Sequence, residues 1–319
     1  MPEDEQVEIR TQAPAVDPAP ETLPEFRIEP AKPRGIAPLW HTLILVLAIL
    51  AYSVWGAIGA KNGAASPIAP PSETAHAAPT GTDHVRIIRY AFTGGVELAI
   101  VVWIAFGLRL RKISFRSLFG ALPKGLNEIT MEILTASAFW VCSMVILLVF
   151  AFSWLFVQNH IYRSETAKQS APASQSSPNR EKPKSPEQQQ SELIHQLTEL
   201  APANRIEIAA WAFLCLIVGF SEELIFRGYL QSQAISLLRN TPIAVIVTAV
   251  IFGAAHGYQG VRGIFLISIF GSLFGILTLL RKNLLPGMIA HSWHDFATGM
   301  ALALIRSSHL LEHLPKASK

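Results

Sequence analysis

Long apolar runs constrain the fold of this 319-residue chain more than any other feature of its sequence. Several of them approach or exceed the roughly 20 residues that an α-helix needs to cross the hydrocarbon core of a bilayer. Half of all residues are hydrophobic and only 15% are charged, which is unusual for a soluble domain of this size. Because helices satisfy their backbone hydrogen bonds internally, the runs predict an all-α, polytopic membrane protein with about seven to eight transmembrane helices.

The charged residues point to the same class of protein. The net charge of +3 is too small to indicate binding to nucleic acid, and basic residues cluster at the ends of apolar runs, where they can contact lipid head groups. The loop at 109–124 contains five Lys or Arg, so the positive-inside rule predicts that this loop and the amino terminus are cytoplasmic. Cys142 and Cys215 lie within apolar runs and indicate no disulfide framework. We expect an integral protein of a prokaryotic inner (plasma) membrane, and the sequence leaves its oligomeric state open.

Composition divides the chain into five segments. Residues 1–37 are rich in Pro, Glu and Ala without an apolar period, which predicts a disordered tail. Residues 159–195 form a predicted low-complexity linker, since such a polar stretch cannot bury enough apolar surface to fold. The linker separates three predicted transmembrane helices in 38–158 from a second transmembrane domain at 196–308, which 309–319 follows as a carboxy-terminal tail.

The predicted spans follow the apolar runs of the two portions. They lie at 39–60, 87–108, 133–156, 206–240, 242–258, 263–280 and 284–305, with an eighth if the long fourth run breaks at Gly228.

Ionisable residues concentrate in the carboxy-terminal spans. Such groups cost several kcal/mol in hydrocarbon, so each one is a candidate functional residue. The amino-terminal spans contain one carboxylate, Glu97, which we interpret as a hydrogen-bonding residue at a helix contact. The carboxy-terminal candidates are Glu222, Glu223, Arg227, His256, His291, His294 and Asp295.

Spacing separates the two adjacent glutamates. Glu223 and Arg227 are four residues apart on one helix face, which predicts an ion pair. Glu222 points about 100° away from Glu223 and lacks that partner. A carboxylate of this kind near histidines can act as a general base or a metal ligand. Taken alone, the ion pair is better explained by a structural role than by catalysis, and each histidine by a position at the membrane interface. Their occurrence together in one half of the chain favours a functional site.

Three helices supply the candidate site. Glu222, His256 and His291 would form a zinc site or a water-activating site. In simple alternating spans, however, Glu222 and His256 would lie near opposite faces of the membrane. We therefore predict that 206–240 is one long helix or a broken, re-entrant one, which brings all the candidates to similar depth.

Three motifs of this portion resemble those of a known family. They are E-E-x-x-x-R (Glu222, Glu223, Arg227), F-x-x-x-H (Phe252, His256) and H-x-x-x-N/D (His291, Asp295). Their order and separations resemble the CAAX-protease and bacteriocin-processing (CPBP, or Abi) family of intramembrane endopeptidases, over about residues 200–305.

The resemblance implies an activity and a role for each motif residue. A member would hydrolyse a peptide bond of a membrane-associated substrate, either a CAAX-type prenylated tail or a peptide precursor. Glu222 would activate the attacking water with help from His256, and Glu223 and Arg227 would support them. His291 and Asp295 would face the carbonyl oxygen that becomes an oxyanion. Family members are described as metalloproteases, which implies Zn²⁺ on Glu222, His256 and His291, although a metal-free glutamate mechanism has also been argued.

Asp295 stands where some members of that family have asparagine. An amide donates a hydrogen bond to an oxyanion, whereas an ionised carboxylate repels it. Asp295 is therefore protonated in its apolar surroundings, or orients His291, or helps to hold a metal, and we favour the last two.

Two other classes of protein compete with the protease. A non-proteolytic immunity or binding protein of the same fold would use these helices without chemistry. A proton-coupled transporter would use the buried Glu and His as a relay, but the two halves show no repeat and the carboxylates are adjacent rather than spaced. The chain also lacks the H-E-x-x-H motif of zincin-like proteases.

Overall fold

The computed structural model describes residues 35–61, 82–169 and 185–308. The predicted amino-terminal tail as far as residue 34, the middle of the predicted linker and the carboxy-terminal tail at 309–319 lie outside these residues. Within them every regular element is a helix, which confirms the all-α prediction. The α-helices are α1 (Leu39–Lys61), α2 (Thr82–Leu110), α3 (Leu126–Gln169), α4 (Pro186–Leu200), α5 (Arg205–Glu222), α6 (Ser232–Leu238), α7 (Thr241–Ala255), α8 (Gly260–Arg281) and α9 (Leu285–Ser307).

Three shorter helical segments complete the described chain. A π-helix, Glu223–Gln231, joins α5 to α6, and 3₁₀ turns occupy Phe115–Phe119 and Gly257–Gln259. The π-helix is the unusual element, because i→i+5 hydrogen bonding is rare and occurs frequently at functional sites. It contains Glu223 and Arg227 and is buried over its whole length.

Membrane spans are numerous, which makes the chain a multi-pass membrane protein. Five described segments are long and apolar enough to cross a bilayer: Leu39–Ile58, Val85–Leu110, Leu126–Ser164, Arg205–Leu238 and Gly257–Arg281. The helix α7 is apolar but shorter, with 15 residues. The helix α9, which carries His291 and Asp295, has 23 residues but is not among the five. The predicted count of seven to eight spans is therefore not confirmed.

The long element predicted over 206–240 is present. The helix α5, the π-helix and α6 follow one another from Arg205 to Leu238 without a break, and Gly228 does not interrupt them. The Asn204 side chain accepts hydrogen bonds from the backbone N–H groups of Ile206 and Glu207 and so caps the start. Arg239, in the left-handed conformation with φ of 53°, ends the element. Glu222 consequently lies near the middle of one continuous helical element.

Both ends of the predicted linker are helical. The helix α3 continues to Gln169, and α4 begins at Pro186 behind Ser185. Ser185 and Gln188 form a capping box, in which each side chain bonds the other residue's backbone N–H. Helix therefore extends into both ends of the predicted segment, where local capping stabilises α4, and the linker boundaries 159 and 195 stay a prediction.

The π-helix is held by helices from both portions of the chain. The Tyr229 hydroxyl lies 2.8 Å from Nδ1 of His41 and 2.9 Å from Oγ1 of Thr42, both on α1. On the opposite side Gln231 donates to the carbonyl of Gly275 on α8 at 3.2 Å. A Cβ at Gly275 would lie 2.6 Å from Oε1 of Gln231, so a larger residue there would displace the Gln231 side chain. These contacts fix the backbone that carries Glu223 and Arg227.

Candidate active site

A buried ion pair between Glu223 and Arg227 lies at the bottom of the site. Nη1 of Arg227 lies 2.9 Å from Oε1 of Glu223, and neither side chain is more than 3% exposed. Nη2 of Arg227 donates to the carbonyl of Gly271 at 3.2 Å, and its guanidinium carbon lies 4.3 Å from the centre of the Phe252 ring. The ion pair expected from the four-residue spacing is therefore present, and an aromatic face stabilises its cation.

His291 connects the two glutamates. Its Nδ1 lies 2.9 Å from Oε1 of Glu223, and its Nε2 lies 3.4 Å from Oε2 of Glu222 and 3.8 Å from Oδ2 of Asp295. The Glu223 carboxylate is paired with Arg227 and can only accept a hydrogen bond, so Nδ1 of His291 carries the proton of this contact. The opposite ring nitrogen then faces two carboxyl groups.

The two adjacent glutamates differ in access to solvent. The Glu223 side chain is fully buried, whereas 13% of the Glu222 side chain is exposed. Oε2 of Glu222 is shielded and has no hydrogen-bond partner among the described residues. Glu222 is therefore the glutamate of the pair that can meet both water and the His291 ring.

His256 lies beside the group formed by Glu222, Glu223 and His291 and, among the described residues, does not contact it through a hydrogen bond. It ends α7, and its Nδ1 lies 2.9 Å from the carbonyl oxygen of Phe252, which requires Nδ1 to be the donor. Nε2 of the neutral ring is then an acceptor. The Phe252 ring separates the two histidines, with ring centres 5.0 Å from His256 and 6.0 Å from His291. No ion pair or hydrogen bond joins His256 to Glu222 or His291 within the described part of the chain.

The predicted zinc ligands are only partly assembled. No group of three or more His, Cys, Asp or Glu among the described residues is arranged to hold a metal ion. Nδ1 of both His256 and His291 is already engaged by protein oxygens, and His256 does not join the cluster around Glu222. Zn²⁺ on Glu222, His256 and His291 thus stays a prediction, and no step proposed below passes through a metal.

Contacts between α2 and α5 bring a further part of the chain to the site. The two helices run parallel, and three contacts fix their register. Nη1 of Arg86 lies 3.3 Å from Oε1 of Glu207, and the ring centres of Tyr90 and Trp211 are 5.2 Å apart. One turn beyond Tyr90, a Cβ at Gly94 would lie 3.4 Å from Ile217. The next turn of α2, which carries Glu97, therefore lies level with the turn of α5 that precedes Glu222.

Glu97 belongs to the surroundings of the active site. The charges of Glu222, His291 and Asp295 act on its carboxyl group, and its Oε2 is buried with no hydrogen-bond partner in the described residues. Its interpretation as a hydrogen-bonding residue at a helix contact stays a prediction, because these observations concern only Oε2 and the charges around it. The sequence carried no signal for this position, since the register of α2 on α5 depends on contacts such as that between Arg86 and Glu207.

The ring of the remaining ionisable candidate, His294, packs against an aromatic residue. Its ring centre lies 4.7 Å from that of Phe270 on α8. The described structure shows no hydrogen bond or ion pair from its side chain to Glu222.

Fold and site together define a class of protein. A multi-pass helical membrane protein that holds a partly exposed glutamate against an oriented histidine has the arrangement of an intramembrane hydrolase. Residues 204–297 match the family model described as "Type II CAAX prenyl endopeptidase Rce1-like", so this portion of the chain is similar to that family. The likeness supports a CAAX-type membrane protease at the level of the family. The match covers less than a third of the chain, and α1 to α4 lie outside it. None of the curated proteins and none of the solved structures compared with the chain matches it.

Proposed function

We propose that this protein hydrolyses a peptide bond in a CAAX-type prenylated tail, using a water molecule that Glu222 activates. One observation carries the proposal: Glu222, exposed by 13%, lies 3.4 Å from an imidazole nitrogen whose ring is fixed from its other side by Glu223. A base, an oriented histidine and access for water are the parts that peptide hydrolysis needs.

Glu222 supplies the base. Its carboxylate removes a proton from the water as the water oxygen attacks the carbonyl carbon of the scissile bond. The same carboxyl group then gives that proton to the nitrogen of the leaving amine as the carbon–nitrogen bond breaks. Nε2 of His256 is an acceptor and would help to orient the water, since Nδ1 donates to the Phe252 carbonyl.

His291 stabilises the developing negative charge. With Nδ1 held by Glu223, its Nε2 is directed towards Glu222 and Asp295, and these carboxylates favour a protonated, cationic ring. Nε2–H then donates to the oxyanion of the tetrahedral intermediate. Arg227 balances the charge of Glu223, so that the carboxylate can orient the ring.

The finer placement in the cell follows from the charge pattern. We propose a prokaryotic plasma membrane with the amino terminus in the cytoplasm, because the loop at 109–124 collects five basic residues. Lipid would surround the exposed apolar faces, such as that of α3 with Phe152 and Phe156.

The proposal is tested with the purified full chain reconstituted in liposomes. A farnesylated peptide ending in a CAAX motif, its unprenylated counterpart and a prenylated peptide with a scrambled tail are incubated with it and analysed by mass spectrometry. We expect cleavage within the motif of the prenylated CAAX peptide and little cleavage of the other two. Absence of cleavage in all three peptides would contradict the proposal, and preferential cleavage of an unprenylated peptide would favour peptide precursors as substrates.

The role of Asp295 can be separated from that of Glu222. Asp295→Asn keeps the size of the side chain and removes its charge 3.8 Å from Nε2 of His291. We expect kcat/KM to fall about tenfold, as is typical when a group that orients a functional residue is replaced. Unchanged kcat/KM, measured on the same peptide, would exclude a required carboxylate at this position, and a loss as large as that of Glu222→Gln would contradict a merely orienting role.

A further inference from the structure

A cavity of about 570 Å³ adjoins the active site and is lined largely by residues outside the family match. Its size is within the range of ligand-binding pockets. One wall comes from α3, with Trp154 and Val157, and another from α4. The third wall is the 3₁₀ turn Gly257–Gln259 and the start of α8, which directly follow His256. We refer to this space as the Arg262 cavity.

Tyr258 is the boundary between the cavity and the catalytic groups. It lines the cavity, and its ring centre lies 6.1 Å from that of His256. The charges of Glu222 and Asp295 act on its phenol group, which places it within electrostatic range of the catalytic carboxylates. Its hydroxyl accepts a hydrogen bond from Gln259 at 3.1 Å, and Gln259 also lines the cavity. The cavity therefore begins where the catalytic site ends.

The lining suits an extended peptide. Trp154, Val157 and Leu193 offer apolar surface for aliphatic side chains. Glutamine side chains both donate and accept hydrogen bonds, as backbone amides do, so they can pair with a peptide main chain. Five of them line this cavity: Gln158, Gln189, Gln190, Gln196 and Gln259.

Arg262 gives the cavity its charge specificity. It is half-buried, and its Nη1 donates to Oε1 of Gln190 at 3.1 Å. Glu192 lines the same cavity, and the ion pairs seen in the described part of the chain do not include Arg262. A guanidinium with five N–H donors then retains several of them for a ligand, and a carboxylate is the group that matches its fork geometry.

We propose that the Arg262 cavity binds the carboxy-terminal end of the substrate, with Arg262 pairing the terminal carboxylate. This inference rests on the proposed function. In a CAAX-type tail the prenylated cysteine is followed by three residues, so a cut within the motif leaves a fragment of at most three residues on the carboxy-terminal side. Such a fragment is about 10 Å long when extended and ends in a free carboxylate. The cavity beyond Tyr258 has the apolar walls, amide groups and cation that this fragment requires.

The experiment compares two prenylated CAAX peptides that differ only in their last group, a free carboxylate or a carboxamide. The full chain in liposomes is expected to cleave the carboxylate peptide with a kcat/KM roughly tenfold or more above that of the carboxamide peptide. Arg262→Gln should lower the rate on the carboxylate peptide to that on the carboxamide and leave the carboxamide rate unchanged. Arg109→Gln, which removes a cation at the end of α2, should keep the full preference.

Three results would overturn the inference while leaving hydrolysis itself intact. The wild-type protein could cleave both peptides equally, Arg262→Gln could retain the preference, or Arg262→Gln could lose activity on both peptides to the same extent, which would make Arg262 a structural residue. The carboxamide rate of the variant reports on its folding, so a misfolded sample is recognised. If the wild-type protein cleaves neither peptide, the proposed function is wrong and this inference falls with it.

Discussion

Replacement of Glu222 by glutamine is expected to lower kcat/KM for a prenylated CAAX peptide by about 10²- to 10⁴-fold, the usual contribution of a general base. Glutamine keeps the length of the side chain but cannot take a proton from water. The position is partly exposed, and Oε2 of Glu222 has no hydrogen-bond partner among the described residues, so the substitution removes only the charge that lies 3.4 Å from Nε2 of His291. We therefore expect unchanged expression and an unchanged melting temperature.

The measurement is initial-rate kinetics on the farnesylated peptide, with thermal unfolding of the same samples. Glu128→Gln is a suitable control, since Glu128 accepts a hydrogen bond from the Lys124 backbone at an exposed site remote in sequence from the catalytic motifs. Glu222→Asp should recover part of the activity, because it restores a carboxylate at a shorter reach. A Glu222→Gln variant within tenfold of wild type would contradict a base at this position. With no effect at all, a non-proteolytic binding protein of the same fold would be favoured instead.

Apolar runs predicted most of the fold, because crossing a bilayer demands length and hydrophobicity that are legible in one sequence. The position of Glu222 near the middle of a long helical element could also be predicted. With a rise of about 1.5 Å per residue, Glu222 can reach the depth of His256 only if the 206–240 element is long or broken, and the structure has a continuous element from Arg205 to Leu238. The π-helix at Glu223–Gln231 was not predicted. Its hydrogen-bond register depends on packing against α1 and α8, through residues such as Tyr229 and Gln231, and no residue pattern encodes it.

For the site, too, contacts within one helix could be predicted from the sequence, whereas contacts between helices could not. The pairing of Glu223 with Arg227 was predictable because four residues make one helical turn. The meeting of His291 with both glutamates depends on how α9 packs against α5, and motif order suggested only that they converge. The position of Glu97 could not be predicted, because it requires the register between two helices that are more than a hundred residues apart in the chain.

Arg227→Met is expected to be the most destabilising single substitution at the site. It leaves the fully buried Glu223 carboxylate without its arginine partner, and removing one partner of a buried ion pair typically costs about 3–5 kcal/mol. The aromatic surroundings of the guanidinium, with the Phe252 ring 4.3 Å away, offer no replacement for the lost charge. Activity should also fall, because a Glu223 that is no longer held by Arg227 orients His291 poorly.

The double variant Glu223→Gln/Arg227→Met separates the two effects. With both charges removed, the unpaired buried carboxylate is gone, and much of the lost stability should return. Catalysis should not return, because glutamine cannot favour a cationic His291 as the ionised Glu223 carboxylate does. Thermal unfolding in detergent and peptide cleavage, measured on the single and double variants, give the coupling energy and the activity from the same samples. Equal stability of Arg227→Met and wild type would show that the pair is not a stabilising element. Full activity of the double variant would show that His291 does not depend on Glu223.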